Sequence, residues 1–393
     1  MRALIVEDGY SRQALAAARA LRAAGWSVGI ASPIPGFSAV SRAVTRWHRI
    51  PAPEDGLAGF EEALAAVASE TDYDVVFPAR DADVLGASIV REAIIPIRVP
   101  YPAHEQVVAA FDKLNLGEAA ERVGIAVPDT ADDSLPATYG EGRVVKARLH
   151  PALDRDGSSA RMEVRVAGDD AEAEDRVREL RAVGRQPLVQ EHVNGELMSL
   201  TLLLDRDGRV IARAQQVAER TYPRRAGVDA RSRTVPIDEE LVAKATAMLT
   251  DLGWFGLAHL EFLVPEDGRP RLIDFNGRIY GSLALAVAAG VNFPVLWAQL
   301  AMGRPIEGRR DATPGIRYQW LAGDLLGALT ETERSPGLEV LGAVRSARGS
   351  VHSVASVRDP RPALRFVRSM LGRRLSRALP RPKPGSSRRS ARG

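Results

Sequence analysis

The chain of 393 residues carries 53 Lys and Arg, 50 Asp and Glu, 45% hydrophobic residues and no cysteine. That length allows two or three domains with cores of their own, the composition is that of a globular protein, and the lack of Cys excludes disulfides, thiolate metal sites and cysteine nucleophiles. From Pro360 onward come 11 Arg and Lys and no acid, which leaves 42 basic against 50 acidic residues, or −8, on the rest and argues against a nucleic-acid-binding surface on the fold.

The chain opens on Arg2-Ala-Leu-Ile-Val6, a strand with neither a basic lead nor a cleavage site before it. No apolar run reaches the ~20 residues of a membrane span; the cytoplasm is the expected location. Ser11 reads as the N-cap of an Ala/Leu/Arg helix ending at Gly25. A strand at 26–30, a loop through Pro33 and Pro35, a helix near 57–68 and the strand Asp74-Val-Val-Phe-Pro78 follow. This alternation predicts an open parallel α/β unit. Ligands bind at the carboxyl ends of such strands, which puts Glu7, Asp8, Arg80 and Asp81 at a candidate cleft. No G-x-G-x-x-G follows the first strand, so nicotinamide binding lacks support.

Only four of the 53 basic residues are lysines: Lys113, Lys146, Lys244 and Lys383. Arg presents a broad planar fork and Lys a point charge on a thin stem, so a chain this biased toward Arg keeps Lys where Arg would not fit. Lys113 opens the helical stretch 113–123, and Lys146 ends the strand 143–146. Taken singly, each also reads as a solvated surface residue, as Lys244 and Lys383 do. The polar loop Asp154-Arg-Asp-Gly157-Ser158-Ser159-Ala-Arg161 comes next and can wrap a triphosphate with backbone N–H groups. A strand at 188–193 turns at Asn194-Gly195 into Glu196–Leu204, and Asp207-Gly208 makes a further hairpin. The sheet here is expected to be antiparallel.

Asp267-Gly268 marks a turn between the runs 256–264 and 271–276. With these two residues as the turn, Glu266 pairs with Arg269, and stepping back puts Glu261 opposite Asp274 with Asn276 two residues further on the same face. Facing carboxylates repel. Two readings follow: a hard oxygen trio for Mg²⁺ (or Mn²⁺) that also holds substrate phosphates, or a structural ion cluster neutralised by Arg271 or Arg278. His259 shares that face, as a substrate contact or as a core histidine. Near the C-terminus, Leu364, Val367, Leu371, Leu375 and Ala378 fall at helical spacing among arginines. This basic helix reads either as packed on the protein's own acidic body or as a weak contact for an anionic membrane or acidic partner.

The ordered set Asp112-Lys113, Val-Val-Lys146, the polar loop, Val189-Gln190-Glu191-His-Val193-Asn-Gly-Glu196, Glu261 and Asp274-Phe-Asn276-Gly-Arg278 resembles the ATP-grasp superfamily over about residues 1–310. Arg278-Ile-Tyr-Gly-Ser282 and Ala289-Gly-Val-Asn-Phe-Pro294 make it most similar to the carboxylate-amine ligases akin to carbamoyl-phosphate synthase. The resemblance implies an N-terminal open parallel α/β (pre-ATP-grasp) domain at 1–105 and an ATP-grasp domain at 106–310 with a mostly antiparallel sheet and a lid at about 125–190. A C-terminal extension at 311–379 and a disordered basic tail at 380–393 complete the chain.

The same resemblance implies ATP and Mg²⁺ as cofactors and gives residues their roles. Lys113 and Lys146 would contact the phosphates under a lid bearing Ser158 and Ser159, with Lys146 and Arg278 as catalytic groups. Gln190, Glu191 and the backbone of Val193 would line the adenine site and Glu196 the ribose. Glu261, Asp274 and Asn276 would hold the metal, and Arg278 would stabilise the transferred phosphoryl group. A carboxylate, activated as an acyl phosphate, would then meet an amine. Its host would come from Arg80, Asp81, Arg224, Arg225 and Ser282, with loop 222–234 as cover. A homodimer is compatible with this reading. Asp274 is shorter than the Glu often found there, and Gly277 replaces the usual Pro, which would loosen the strand. A kinase-like or carboxylase-like ATP-grasp enzyme, or a non-catalytic ATP-binding module, would share the nucleotide residues.

Overall fold

The structure, a computed structural model, describes residues 1–131, 142–149, 165–224, 227–331 and 335–378. Ser158, Ser159 and Arg225 lie outside them. The N-terminal strands β1 (Arg2–Val6), β2 (Ser27–Ser32), β3 (Arg46–Arg49) and β4 (Val75–Pro78) form a parallel sheet in the order β3-β2-β1-β4. Helices α1 (Arg12–Ala23), α2 (Leu57–Glu70) and α3 (Asp81–Ile89) alternate with them. Ser11 caps α1 by accepting from the Ala14 amide at 3.2 Å, and Ala14, Leu15, Ala17, Ala18 and Leu21 give the helix its buried stripe. Strand β3 has no counterpart in the sequence reading: Arg-Trp-His-Arg lacks an apolar run, and its edge position asks for none.

Two helices, α4 (His104–Phe111) and α5 (Lys113–Arg122), lead into a second sheet. It contains β5 (Thr130–Ala131), β6 (Arg143–Ala147), β7 (Arg165–Ala167) and β8 (Pro187–Glu191), antiparallel in the order β5-β8-β6-β7, and is backed by α6 (Asp170–Ala182). The chain then builds the large sheet from β9 (Glu196–Leu204), β10 (Val210–Tyr222), β11 (Val228–Thr234), β12 (Gly256–Val264) and β13 (Arg271–Asn276), with α7 (Glu239–Asp251) between β11 and β12. After α8 (Leu283–Ala288) and α9 (Phe293–Ala301) come β14 (Arg310–Asp311), β15 (Arg317–Gln319), α10 (Leu321–Thr330), α11 (Pro336–Ala347), β16 (Ser350–His352) and α12 (Arg361–Ala378). The large sheet runs β13-β12-β9-β10-β11-β15-β16, antiparallel except that β16 lies parallel to β15 and β14 to β10.

Three features differ from the sequence reading. Asn194-Gly195 does not close a hairpin; it carries the chain from the second sheet into the large one. A Cβ on Gly195 would stand 2.7 Å from the Val264 carbonyl, so the crossing needs glycine. The large sheet also continues past residue 310, because β15 and β16 extend its edge. Finally, α12 packs through Ala363 and Phe366, with the Phe366 ring 5.5 Å from Phe37, while Leu364 and Val367 face outward at 61% and 53% exposure. The apolar stripe expected on the protein's own body therefore begins on the solvent side.

One apolar core joins the N-terminal and large sheets. Its aromatic centre sets Phe77 at a tilt against Trp297 and then runs edge to face from Trp297 to Tyr101, Tyr101 to Trp254 and Trp254 to Phe275. Polar ties add to it: Arg19 on α1 donates to Asp359 and to the Val354 carbonyl, and Asp359 also accepts from Ser41 and the Arg42 amide. Among the described residues no helix is long and apolar enough to cross a membrane.

Candidate functional site

The site is assembled on the β12–β13 hairpin. Glu261 pairs with Asp274 and His259 with Asn276, as the turn arithmetic predicts, yet the turn differs. Leu263 pairs with Arg271, which leaves Glu266-Asp267-Gly268 as a three-residue loop, with Gly268 at φ +72 and its amide on the Pro265 carbonyl. A register shift between Glu261 and Phe262 makes Ile273 the extra residue of a bulge and restores the facing carboxylates. The bulged Ile273 carbonyl accepts from Lys146 Nζ at 3.1 Å.

Two ammonium groups, Lys146 buried and Lys113 partly buried, therefore converge on β13. Lys113, the first residue of α5, is ion-paired to Asp274. Burial pulls its pKa down, but Asp274 above all, then Asp81 and Glu261, outweigh burial and raise it. Among the described residues Lys146 has no such acid in contact, and burial, reinforced by Lys113, pulls its pKa down to about 7. Asp112 sets Lys113 in place by capping α5 and pairing with Arg148 at 2.8 Å. Arg278 donates to Asp81 at 2.6 Å and to Asn276 Oδ1 at 2.6 Å. Burial opposes its charge, and Asp81, followed by Asp274 and Glu261, more than offsets this. Among the described residues no three of His, Asp or Glu gather into a metal-holding group. Glu261, Asp274 and the Asn276 amide oxygen are two carboxylates and one neutral donor, all hard oxygens on one face. As a donor set they would suit Mg²⁺, with phosphate oxygens and water as its remaining ligands.

The second sheet meets this face through Lys146 and through Glu191, which pairs with Arg271 at 3.1 Å. Gln190 is buried and donates to Thr130, Val193 is buried, and Glu196 is exposed opposite Val264 at the start of β9. His259 is a core histidine: its Nδ1 lies 2.8 Å from Thr201 Oγ1, and its ring stacks on Tyr280 at 4.0 Å with Nε2 3.5 Å from Glu261. Gly277 does not loosen the strand either, because a Cβ there would stand 2.4 Å from the Trp254 ring; the aromatic core excludes the usual Pro.

The expected acyl-donor residues fare differently. Arg80 binds Glu54 at 2.6 Å and the fully buried Asp83, which hold its pKa up against burial; it belongs to the scaffold. Asp81 orients Arg278. Ser282 exchanges hydrogen bonds with Gln216 at 2.8 and 3.2 Å. Arg224 is exposed, and its amide donates to Glu331. Glu7, also at the strand ends, is buried and accepts from Ser38 and from the Gly9 and Ser11 amides; burial pushes its pKa up to about 7. Residues that sequence reasoning missed lie further along the large sheet and at the start of α1: Gln216 on β10, Asp229 on β11, Tyr318 on β15, Trp320 just after it, and Arg12. Arg12 gave one signal, a cation at the first position of a helix where the dipole disfavours it. Asp229 gave another, an acid inside a strand.

A family model described as "ATP-grasp in the biosynthetic pathway with Ter operon" matches residues 185–323. The biotin carboxylase domain of 2-oxoglutarate carboxylase from Hydrogenobacter thermophilus, in complex with MgADP and bicarbonate, is similar at TM-score 0.61 and 16% identity over 80% of this chain and 73% of that one. The N5-carboxyaminoimidazole synthetase of Staphylococcus aureus follows at 0.58 and 14%, over 79% and 78%. The L-amino acid ligase of Bacillus licheniformis gives 0.57 and 18%, over 76% and 74%. No curated protein matches the sequence significantly. The chain has an ATP-grasp fold, with a parallel N-terminal sheet and a mostly antiparallel large sheet.

Proposed function

We propose that the protein is an ATP- and Mg²⁺-dependent ligase that activates a carboxylate as an acyl phosphate for attack by an amine. The observation that carries this reading is the convergence of Lys113, Lys146 and Arg278 on the facing pair Glu261 and Asp274. Three cations meet three carboxylates, Glu261, Asp274 and Asp81, so Mg²⁺ on the facing pair would supply the positive charge that draws in the γ-phosphate and the incoming carboxylate. The substrate oxygen attacks the γ-phosphorus, an O–P bond forms, the β–γ bridge breaks and ADP leaves. The amine then displaces phosphate from the acyl carbon, forming the C–N bond, and its spare proton leaves with the phosphate. No protein nucleophile takes part; positioning and electrostatics supply the rate.

Arg278 is held by Asp81 where charge spreads over the transferred group. Lys146 contributes a thin cation from the second sheet. Mg²⁺ on Glu261, Asp274 and Asn276 would neutralise phosphate charge. The fold likeness to biotin carboxylases keeps a carboxylase-like reaction as the second reading. An ADP-release screen over carboxylate and amine pairs with Mg²⁺ tests the proposal. Release that needs both partners supports the ligase, and release with bicarbonate alone supports the carboxylase.

A further inference from the structure

Where the loop that follows β13 passes β15 and the start of α1 lies a group of polar atoms short of partners among the described residues. Arg12 projects from the start of α1 onto the Trp320 ring, its guanidinium carbon 3.9 Å from the centroid. Among the described residues its one hydrogen bond is a long 3.4 Å contact with the Tyr318 hydroxyl, and no carboxylate pairs with it. Gly281 makes room for it, since a Cβ there would come within 3.3 Å of Arg12 Nη2. Below it, the Trp320 indole N–H is buried with no acceptor among the described residues. A cation and an unsatisfied donor thus meet at one spot, and the missing group is an anion.

The opposite holds a short way along the same wall. Asp229 on β11 accepts from Gln216 Nε2 at 2.6 Å through Oδ2, whereas Oδ1 is buried with no hydrogen-bond partner among the described residues. Burial, then the charge of Glu261, pushes its pKa up to about 6, and the nearby Ser232 and Ser282 hydroxyls temper this. The two spots are joined by continuous contacts: Arg12 to the Tyr318 hydroxyl, that hydroxyl to the Gly281 carbonyl at 2.9 Å, and neighbouring Ser282 to Gln216 and so to Asp229. Glu261 lies near the Asp229 end, so this end faces the reaction centre. Arg12 marks the remote end.

We propose that this wall binds a free amino acid as the amine substrate, its ammonium on Asp229 Oδ1 and its carboxylate on Arg12 and the Trp320 N–H. The inference rests on the ligase reading and names its nucleophile. Each end alone selects a charge, and the pair selects a zwitterion. A plain amine leaves Arg12 and the indole unsatisfied, and a plain acid leaves Asp229 unpaired; each omission costs a charge-assisted bond.

Titration calorimetry on the full chain with MgADP tests this, using each of the twenty L-amino acids, β-alanine and γ-aminobutyrate. The decarboxylated amine and the des-amino acid of any binder follow. At least one amino acid should bind, with both truncated analogues at least about tenfold weaker. Arg12→Met should abolish discrimination against the amine and keep that against the acid; Asp229→Asn should do the reverse, with MgADP affinity unchanged in both. Normal MgADP binding with no amino acid bound, or discrimination untouched in both variants, overturns the proposal and leaves the ATP-dependent reading standing. Failure of MgADP itself to bind would instead refute that reading and this one with it.

Discussion

The carboxyl end of the parallel sheet and the face of the β12–β13 hairpin both concentrate buried charge, but they use it in opposite ways. At the sheet end each group is answered on the spot: Glu7 by a hydroxyl and two amides, Arg80 by Glu54 and Asp83. On the hairpin the balance is left open. Lys146 rests on a carbonyl rather than an acid, and Glu261 faces Asp274 across the ladder. Closed charge holds a shape, whereas open charge invites a ligand.

The sharpest test of this contrast is Arg80→Ala, which strands the fully buried Asp83 and should cost about 3–5 kcal/mol of stability in urea unfolding. Arg12→Met should cost less than about 1 kcal/mol. Equal losses would erase the distinction. Next, Glu261→Gln should lower ATP-dependent turnover by about 100- to 1000-fold with the melting temperature unchanged or raised, since a repelling carboxylate is removed; wild-type turnover would remove Glu261 from the site. Lys146→Arg should weaken ATP binding nearly as much as Lys146→Ala, by about 10- to 100-fold, because the position needs a thin cation.

The pH dependence of Lys146 sharpens the same point. Its pKa is lowered to about 7 in the folded protein, so below that value the ammonium prevails and the fold carries the full cost of burying it. The cost is relieved as pH rises from there toward the unfolded-state pKa. If phosphate needs the ammonium, ATP binding at about pH 8 should take up close to one proton, and almost none at about pH 6. Calorimetry in buffers of different ionisation enthalpy reads this directly, and zero uptake at the higher pH would place Lys146 away from phosphate. The smallest effect belongs to α12. Ending the chain at Asp359 removes the Phe366–Phe37 contact, worth about 1 kcal/mol, and should leave ATP affinity within about twofold.

How much of this was legible follows from the range of the signals. The pairing of Glu261 with Asp274 could be counted from the turn, although two errors cancelled: the loop has three residues instead of two, and the bulge at Ile273 takes up the difference. The lysines stood out by scarcity. Arg80 looked like a ligand host because its position at a strand end was readable, while its partner Glu54, 26 residues away, was not. Arg12 and Tyr318 meet across 306 residues, and no local pattern announces such a meeting. Beta3 was missed because an edge strand can do without apolar alternation.

Asp359 has a bearing on how the chain is made. It is the anchor for Arg19, 340 residues upstream, and for Ser41 and the Arg42 amide. A ribosome releases the first sheet long before it reaches this anchor, so the earliest unit must wait, with α1 lacking its last partner, until synthesis is nearly over. Contacts that distant in sequence slow folding and leave intermediates exposed. Nascent chains arrested before residue 359 should accordingly be cut by protease around Arg19 and Arg42 more readily than chains arrested a tunnel's length beyond it.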